Sequence, residues 1–140
     1  MSTRQGERLT LAAGSVLPSL VKALSQAKID RYAGVSGDGN PLHTDPQFAA
    51  ATEFGGTIAH GLLVLAYVSE MMTAAFGERW PGGGRLKVRF RAPARPGDTV
   101  TASGQVLRGE DGRTVCRVEC RNQRDEVLLD GEAAVEGEGG

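Results

Sequence analysis

An acidic side chain and a histidine five residues apart, Asp38 and His43, are the groups best spaced for chemistry in this chain. A carboxylate and an imidazole held together can bind one water molecule and move protons to and from it. Gly37, Gly39 and Pro41 surround the pair and disfavour a regular helix or strand, so we expect a shaped loop. The alternative is an ordinary turn, with Asp38 as a turn cap and His43 as a hydrogen-bonded loop residue.

A second candidate is His60-Gly61, which directly precedes the longest apolar stretch of the chain. A helix that begins there offers free backbone N–H groups and the positive end of its dipole. Because Gly61 has no side chain, a substrate can approach its backbone closely, and its N–H is a candidate oxyanion donor. Alternatively, Gly61 only permits a tight entry into the helix, and His60 is a surface or capping residue.

Three further patterns in the sequence are candidates for a functional site. Residues 85–91 alternate four cations with Leu, Val and Phe, which predicts a strand with a positive face. That face either docks a phosphorylated cofactor tail or an acidic carrier protein, or is solvated and paired with Glu119 or Glu132. Ser36 lacks the full Gly-x-Ser-x-Gly pattern of a nucleophile. Four residues are of types that bind metals, but they are not closely spaced in the sequence, so no metal site is predicted. These residues are Asp38, His43, Asp45 and His60.

The bulk properties fit one domain of 140 residues with a net charge of −1, which is not the basic footprint of a nucleic-acid binder. The N-terminal ten residues lack the apolar run of a signal peptide, and residues 62–76 are too short to cross a bilayer and contain Glu70. Cys116 and Cys120 lie about 13 Å apart if they share a strand, beyond disulfide reach. We expect both to pack inward with Val118, in a reducing, cytoplasmic protein.

Hydrophobic periodicity predicts an α+β domain over residues 14–135, with flexible ends at 1–13 and 136–140. A strand is expected within residues 14–26 and helices at 27–35, 47–52 and 61–76, the last apolar nearly all round and buried on most faces. A break is expected at 80–84. Four strands follow at 84–92, 98–107, 113–123 and 126–135. Short connections favour a meander wrapped round the apolar helix, with edges that a homodimer can cover.

Residues 32–46 read Tyr-Ala-Gly-Val-Ser-Gly-Asp-Gly-Asn-Pro-Leu-His-Thr-Asp-Pro. This segment resembles the signature of the MaoC-like dehydratases, also called R-specific enoyl-CoA hydratases or hydratase 2, in which an acid, an Asn-Pro and a histidine recur in this arrangement. The resemblance extends to residues 58–61, 90–93 and 95–98, and so covers about 14–135.

The resemblance implies a single hotdog fold, in which a curved antiparallel sheet wraps a long buried helix. It implies addition of water to a trans-2-enoyl thioester to give an R-3-hydroxyacyl thioester, or the reverse. Asp38 and His43 would be catalytic, and Gly61 would bind the thioester oxygen. Ser36, Asn40 and Pro41 would shape the loop. No metal or redox cofactor is implied. The partners implied are an acyl-CoA or acyl carrier protein thioester and a second copy of the chain, since one short unit carries the whole dyad.

Two other functions stay open at this point. One is a hotdog acyl-CoA thioesterase, whose acid is expected on the central helix, where Glu70 is the sole acid. The other is a non-catalytic subunit that binds acyl thioesters, against which the intact Asp38/His43 pair argues. The sequence does not give the acyl chain length, which depends on how several side chains pack; these are Phe48, Phe54, Tyr67, Met71 and Met72.

Overall fold

A computed structural model describes residues 12–136, so the predicted flexible ends lie almost wholly outside the described residues. We number the elements in chain order. The strands are β1 (Leu20–Ala23), β2 (Arg85–Phe90), β3 (Thr99–Glu110), β4 (Arg113–Arg121) and β5 (Val127–Glu136). The helices are α1 (Gln26–Ser36), α2 (Pro41–Thr44), α3 (Pro46–Ala50), α4 (Gly61–Phe76) and α5 (Arg79–Gly83). Within residues 12–136, none of the helices has the length and apolar character needed to span a bilayer.

The strands form one antiparallel sheet in the order β1-β3-β4-β5-β2. The predicted meander is correct for β3, β4 and β5 and wrong for β2, which pairs with β5. The chain after β2 does not turn back tightly, because the N–H groups of Arg91 and Ala92 donate to the carbonyl of Leu128. It then runs to the far edge of the sheet, where the N–H of Leu24 donates to the carbonyl of Asp98. The register shifts once where β3 pairs with β4 and once where β5 pairs with β4, and these irregularities bend the sheet.

Helix α4 has the bounds that its apolar run predicted, and it packs against β1, β3 and β4. The hotdog arrangement of a long helix against a curved sheet is therefore confirmed. The expectation that α4 is buried on most faces was wrong for the single chain, because Leu62 is 63% exposed and Ala66 is also exposed. One face is buried, and its members are Val64, Tyr67, Val68, Met71, Met72 and Phe76.

The two cysteines lie in the core of β4 as unpaired thiols with 0% exposure, as predicted. Burial raises the pKa of Cys116 to about 11 and that of Cys120 to about 12. Both thiols are therefore protonated at neutral pH and act as small packing groups. The Cys120 Sγ lies 3.9 Å from the carbonyl oxygen of Val64, where β4 contacts α4.

Two short helices replace predicted irregular segments. Residues 41–44 form α2, because Pro41 is compatible with the first turn and Asn40 Oδ1 accepts the Leu42 N–H as N-cap. Residues 79–83 form α5 where a break was expected, because the Trp80 ring is buried and its Nε1–H donates to Ser69 Oγ at 2.7 Å. The predicted N-cap Asp45 is confirmed, although α3 ends two residues earlier than expected.

Candidate active site

Asp38 lies just beyond the C-terminal end of α1. Gly37 ends that helix with φ of 82°, a left-handed conformation that glycine adopts at little cost. The Asp38 N–H donates to Ser36 Oγ at 3.2 Å, and the Asn40 N–H lies 3.4 Å from Asp38 Oδ1. The carboxylate is exposed rather than buried. Its remaining lone pairs can therefore accept protons from a ligand.

His43 is carried by α2 rather than by an irregular loop, which corrects the expectation for this residue. Its ring nitrogen Nδ1 lies 2.8 Å from the carbonyl oxygen of Ile58. Because a carbonyl can only accept, Nδ1 carries the proton and Nε2 of the neutral ring keeps a free lone pair. The half-buried imidazole is thus held in the tautomer that can take a proton at Nε2.

Segment 57–60, just before α4, is joined to segment 38–43 by three hydrogen bonds. The Ile58 N–H donates to the Leu42 carbonyl at 3.3 Å, and His43 Nδ1–H donates back to Ile58. The third bond joins His60 Nε2 to the Asp38 carbonyl at 2.9 Å, again with the ring nitrogen as donor. These bonds fix the position of the start of α4 relative to the acid and the histidine.

His60 lies at the N-cap position of α4, but it is not a surface residue and its side chain does not cap the helix. Its exposure is 3%, and its side chain makes no N-cap hydrogen bond. The ring stacks on that of His43, with centroids 3.8 Å apart and planes at 24°. The Tyr32 ring meets it edge-on at 4.8 Å. His60 therefore packs against α1 and α2, through residues 28 and 17 positions earlier in the chain.

Gly61 is the first residue of α4, as predicted. No acceptor among residues 12–136 takes its N–H, which lies at the positive end of the helix dipole. A Cβ atom on this residue would lie 3.0 Å from the ring of Phe90. An open cavity of about 300 Å³ begins here, with more apolar than polar lining; its walls include Phe54, Ile58, Val64, Phe90, Ala92 and Leu128.

Oxygen and nitrogen atoms of Asp38, His43 and His60 lie within 4.8 Å of one another, close enough to suggest a metal site. This group differs from the four candidate ligands of the sequence. Asp45 is not part of it, because its carboxylate caps α3 through the N–H groups of Gln47 and Phe48. The two imidazoles are stacked nearly parallel, so their lone pairs do not converge as metal ligands must. The absence of a metal stays a prediction.

The cationic strand β2 has the predicted alternation, with its cations exposed and Leu86 and Val88 partly buried. The predicted ion partners were wrong. Arg91 pairs with Asp130 at 3.1 Å, while Glu119 pairs with Arg121 and Glu132 with Arg108. Docking of a phosphorylated or acidic partner on this face stays a prediction.

Sequence reasoning missed one residue that supports the site. Gln26, at the start of α1, donates from Nε2 to the His43 carbonyl at 2.8 Å and accepts the Thr57 hydroxyl at 2.6 Å. It thus joins α2 to the segment before α4. No local pattern marks such a residue, because its partners lie 17 and 31 residues away.

Comparison with known proteins places this geometry in a family. The model of the MaoC-like domain matches residues 9–127. The chain belongs to the MaoC-like family. A relative from Methylorubrum extorquens, named 3-hydroxybutyryl-CoA dehydratase, is 40% identical over 121 residues, which cover 83% of this chain and 74% of the relative. An (R)-specific enoyl-CoA hydratase from Rhodospirillum rubrum is 39% identical and covers 84% of this chain and 82% of its own length.

Solved structures of MaoC-like proteins agree with this assignment. The (R)-hydratase of A. caviae, described as involved in PHA biosynthesis, aligns with a TM-score of 0.80 at 29% identity. The alignment covers 93% of this chain and 99% of that structure. An R-hydratase from Pseudomonas aeruginosa also aligns with a TM-score of 0.80, at 28% identity, over 91% of this chain and 82% of the other.

Proposed function

We propose that this protein adds water across the double bond of a trans-2-enoyl-CoA to give an R-3-hydroxyacyl-CoA, and catalyses the reverse dehydration. The relatives are named for these two directions of one reaction. The observation that carries the proposal is local. The Asp38 carboxylate and a ring nitrogen of His43 lie within 4.8 Å of each other, next to the start of α4.

That separation suits one water molecule. Two hydrogen bonds of about 2.8 Å from a single water oxygen reach atoms about 4.5 Å apart. Asp38 accepts one water proton while the water oxygen attacks C3 of the substrate. His43 accepts a hydrogen bond from the same water molecule at Nε2, the ring nitrogen that has a free lone pair. The proton taken from the water is then delivered to C2, and the second water hydrogen stays on the new hydroxyl group at C3. Because both groups can hydrogen-bond to the same water molecule, we assign the removal of the proton and its delivery to the dyad jointly.

Attack at C3 moves negative charge to the thioester oxygen. The Gly61 N–H donates to that oxygen, and the N-terminal end of α4 stabilises the charge. The apolar cavity beside Gly61 takes the acyl chain. The reaction moves only protons and a lone pair, so these groups need no metal or redox cofactor.

The geometry disfavours the thioesterase alternative. Glu70 lies nine residues after Gly61, which is roughly 14 Å along the axis of α4. Its carboxylate pairs with Lys22 at 3.0 Å and is half exposed. It is therefore a surface ion-pair residue far from the proposed oxyanion donor. The geometry also disfavours a non-catalytic subunit, because binding alone would not require the His43 tautomer or the exposed Asp38 carboxylate.

Purified protein is expected to hydrate crotonyl-CoA, with loss of the enone absorbance and an R-configured 3-hydroxybutyryl-CoA as product. A crotonyl thioester of pantetheine, assayed in parallel, measures how much of the binding comes from the nucleotide end. Release of free thiol should stay at the level of the protein-free control, because no thioester bond is broken.

Three results would contradict this proposal. They are an S-configured product, thiol release at the rate of enone loss, and no turnover with crotonyl-CoA, longer enoyl-CoAs or enoyl thioesters of acyl carrier protein. The last substrate distinguishes a carrier-protein enzyme from a non-catalytic subunit.

We further propose a homodimer. Among the described strands, β2 is paired on one side only, and Phe90 at its end is 54% exposed. An unpaired edge beside exposed apolar groups is a surface that a second copy can cover. Light scattering on the eluted protein should give twice the 14.7 kDa of one chain; a monomeric mass at micromolar concentration would contradict the proposal.

A cytoplasmic location is also proposed, supported by the two unpaired thiols.

A further inference from the structure

We propose that His60 is a positioning residue for the dyad, and that its essential contact is the hydrogen bond from Nε2–H to the backbone carbonyl of Asp38. This inference rests on the proposed hydration activity. The bond is 2.9 Å long and comes from a ring that is 3% exposed. It reaches the one residue of the dyad that has no regular secondary structure to hold it.

Asp38 needs such a support. It follows the left-handed Gly37 and precedes Gly39, two residues that give the backbone unusual freedom. Its side chain is exposed, and its neighbouring contacts to Ser36 and Asn40 are local and long, at 3.2 and 3.4 Å. Within residues 12–136, the bond from His60 is the one hydrogen bond that ties this turn to a distant element, the start of α4.

The same ring also restricts the position of His43, the second member of the dyad. It stacks on His43 at 3.8 Å, while Tyr32 holds it from the edge. His60 is directly bonded in sequence to Gly61, so one rigid residue links the acid, the histidine and the proposed oxyanion donor. A shift of about 1 Å in such a group lowers the rate by about 10²-fold.

A purely structural role for His60 is the competing explanation, and its contacts allow the two to be separated. His60 occupies the N-cap position of α4 without making a cap bond, and its Nδ1 is buried without a hydrogen-bond partner among the described residues. Asparagine is a favoured N-cap residue. His60→Asn therefore offers α4 a cap that the natural chain lacks, while its shorter amide cannot reach the Asp38 carbonyl.

His60→Gln is the matched variant. It has the same amide group as asparagine, but its nitrogen extends to the position of Nε2 and can donate to the Asp38 carbonyl. We expect His60→Asn to lower kcat about 10- to 100-fold with KM within about threefold. Both variants remove the buried ring, so their melting temperatures should fall by similar amounts. His60→Gln should keep kcat within about fivefold of the natural protein, because it loses the ring stack but keeps the bond.

Equal kcat values for the two amide variants would overturn the proposal, as would a loss confined to KM. A second readout does not depend on turnover. The chain contains two histidines, so nitrogen-15 spectra of labelled histidine are assigned with one variant. His60 should give the Nε2–H tautomer and His43 the Nδ1–H tautomer.

In both variants the His43 signals should shift, because the stacked ring has gone. In His60→Asn they should also broaden, because the Asp38 turn has lost its anchor. In His60→Gln they should stay narrow. Equally narrow His43 signals in both variants would overturn the positioning role even if the natural protein hydrated no thioester. Absence of turnover in the natural protein, with the expected spectra, would instead contradict the proposed function and leave the role of His60 supported.

Discussion

Replacement of Asp38 by asparagine is expected to lower kcat for enoyl-thioester hydration by about 10²- to 10⁴-fold, the range that a positioned general base contributes. Asparagine has the shape of aspartate and keeps an oxygen to accept the Asn40 N–H. It cannot accept a proton from water. The fold should therefore persist, and the melting temperature should stay close to that of the natural protein.

Asp45→Asn is the matched control. Asp45 lies seven residues further along the same segment, and its carboxylate caps α3 through the N–H groups of Gln47 and Phe48. Asparagine is an equally good N-cap residue. The same chemical change should leave kcat within about twofold there, because no reacting atom is touched. Near-natural turnover in Asp38→Asn would show that Asp38 is not the base.

The sequence predicted α4 to the residue because two independent signals agree there. Its apolar run is long, and a glycine stands at each end, Gly61 at the first turn and Gly77 at the C-cap. The three later strands were also found within three residues at each end, because their alternation is interrupted at Asp111-Gly112, a two-residue turn with positive φ at both positions. These features are local, so a local pattern is sufficient to find them.

Pairing partners are not local, and the predicted pairing of β2 with β3 was wrong. Whether β2 lies beside β3 or β5 depends on the path of residues 91–98, which is set by hydrogen bonds to Leu128 and Leu24. Neither partner is recognisable from the pattern of that segment. A short connection favours sequential pairing, but here tertiary hydrogen bonds carry the chain across to the other edge of the sheet.

The sequence indicated which residues could form the candidate site, but not the contacts that hold them in place. Asp38, His43 and Gly61 were named from residue type, spacing and a family resemblance, and the structure brings all three to one region. The sequence indicated for His60 only a surface or capping role, and not a buried one. Its burial follows from partners 17 and 28 residues earlier, His43 and Tyr32, which only the folded chain brings to its ring.

His43→Asn is expected to lower kcat by about 10²- to 10³-fold. The asparagine amide nitrogen occupies about the position of Nδ1 and can donate to the Ile58 carbonyl, so α2 stays joined to segment 57–60. It has no group at the position of Nε2. His43→Ala removes both, and the unpaired carbonyl should lower the free energy of unfolding by about 1–3 kcal/mol. Steady-state assays and urea unfolding should be run on both variants. If His43→Asn and His43→Ala lose the same kcat but differ in stability, the catalytic effect belongs to Nε2.

The double variant Asp38→Asn/His43→Asn tests whether the two groups act on one water molecule. Groups that act as a unit give strongly non-additive losses, because removal of either one already disables the shared step. The double variant should therefore be within about tenfold of the slower single variant. If the two losses instead multiplied, Asp38 and His43 would contribute independently, and the single bridging water would have to be replaced by two separate proton transfers. His43→Asn loses the stack of His43 on His60, whereas Asp38→Asn keeps it. The same set of variants should therefore also be measured in the His60→Gln background, where the stack is absent from every member and cannot contribute to the comparison.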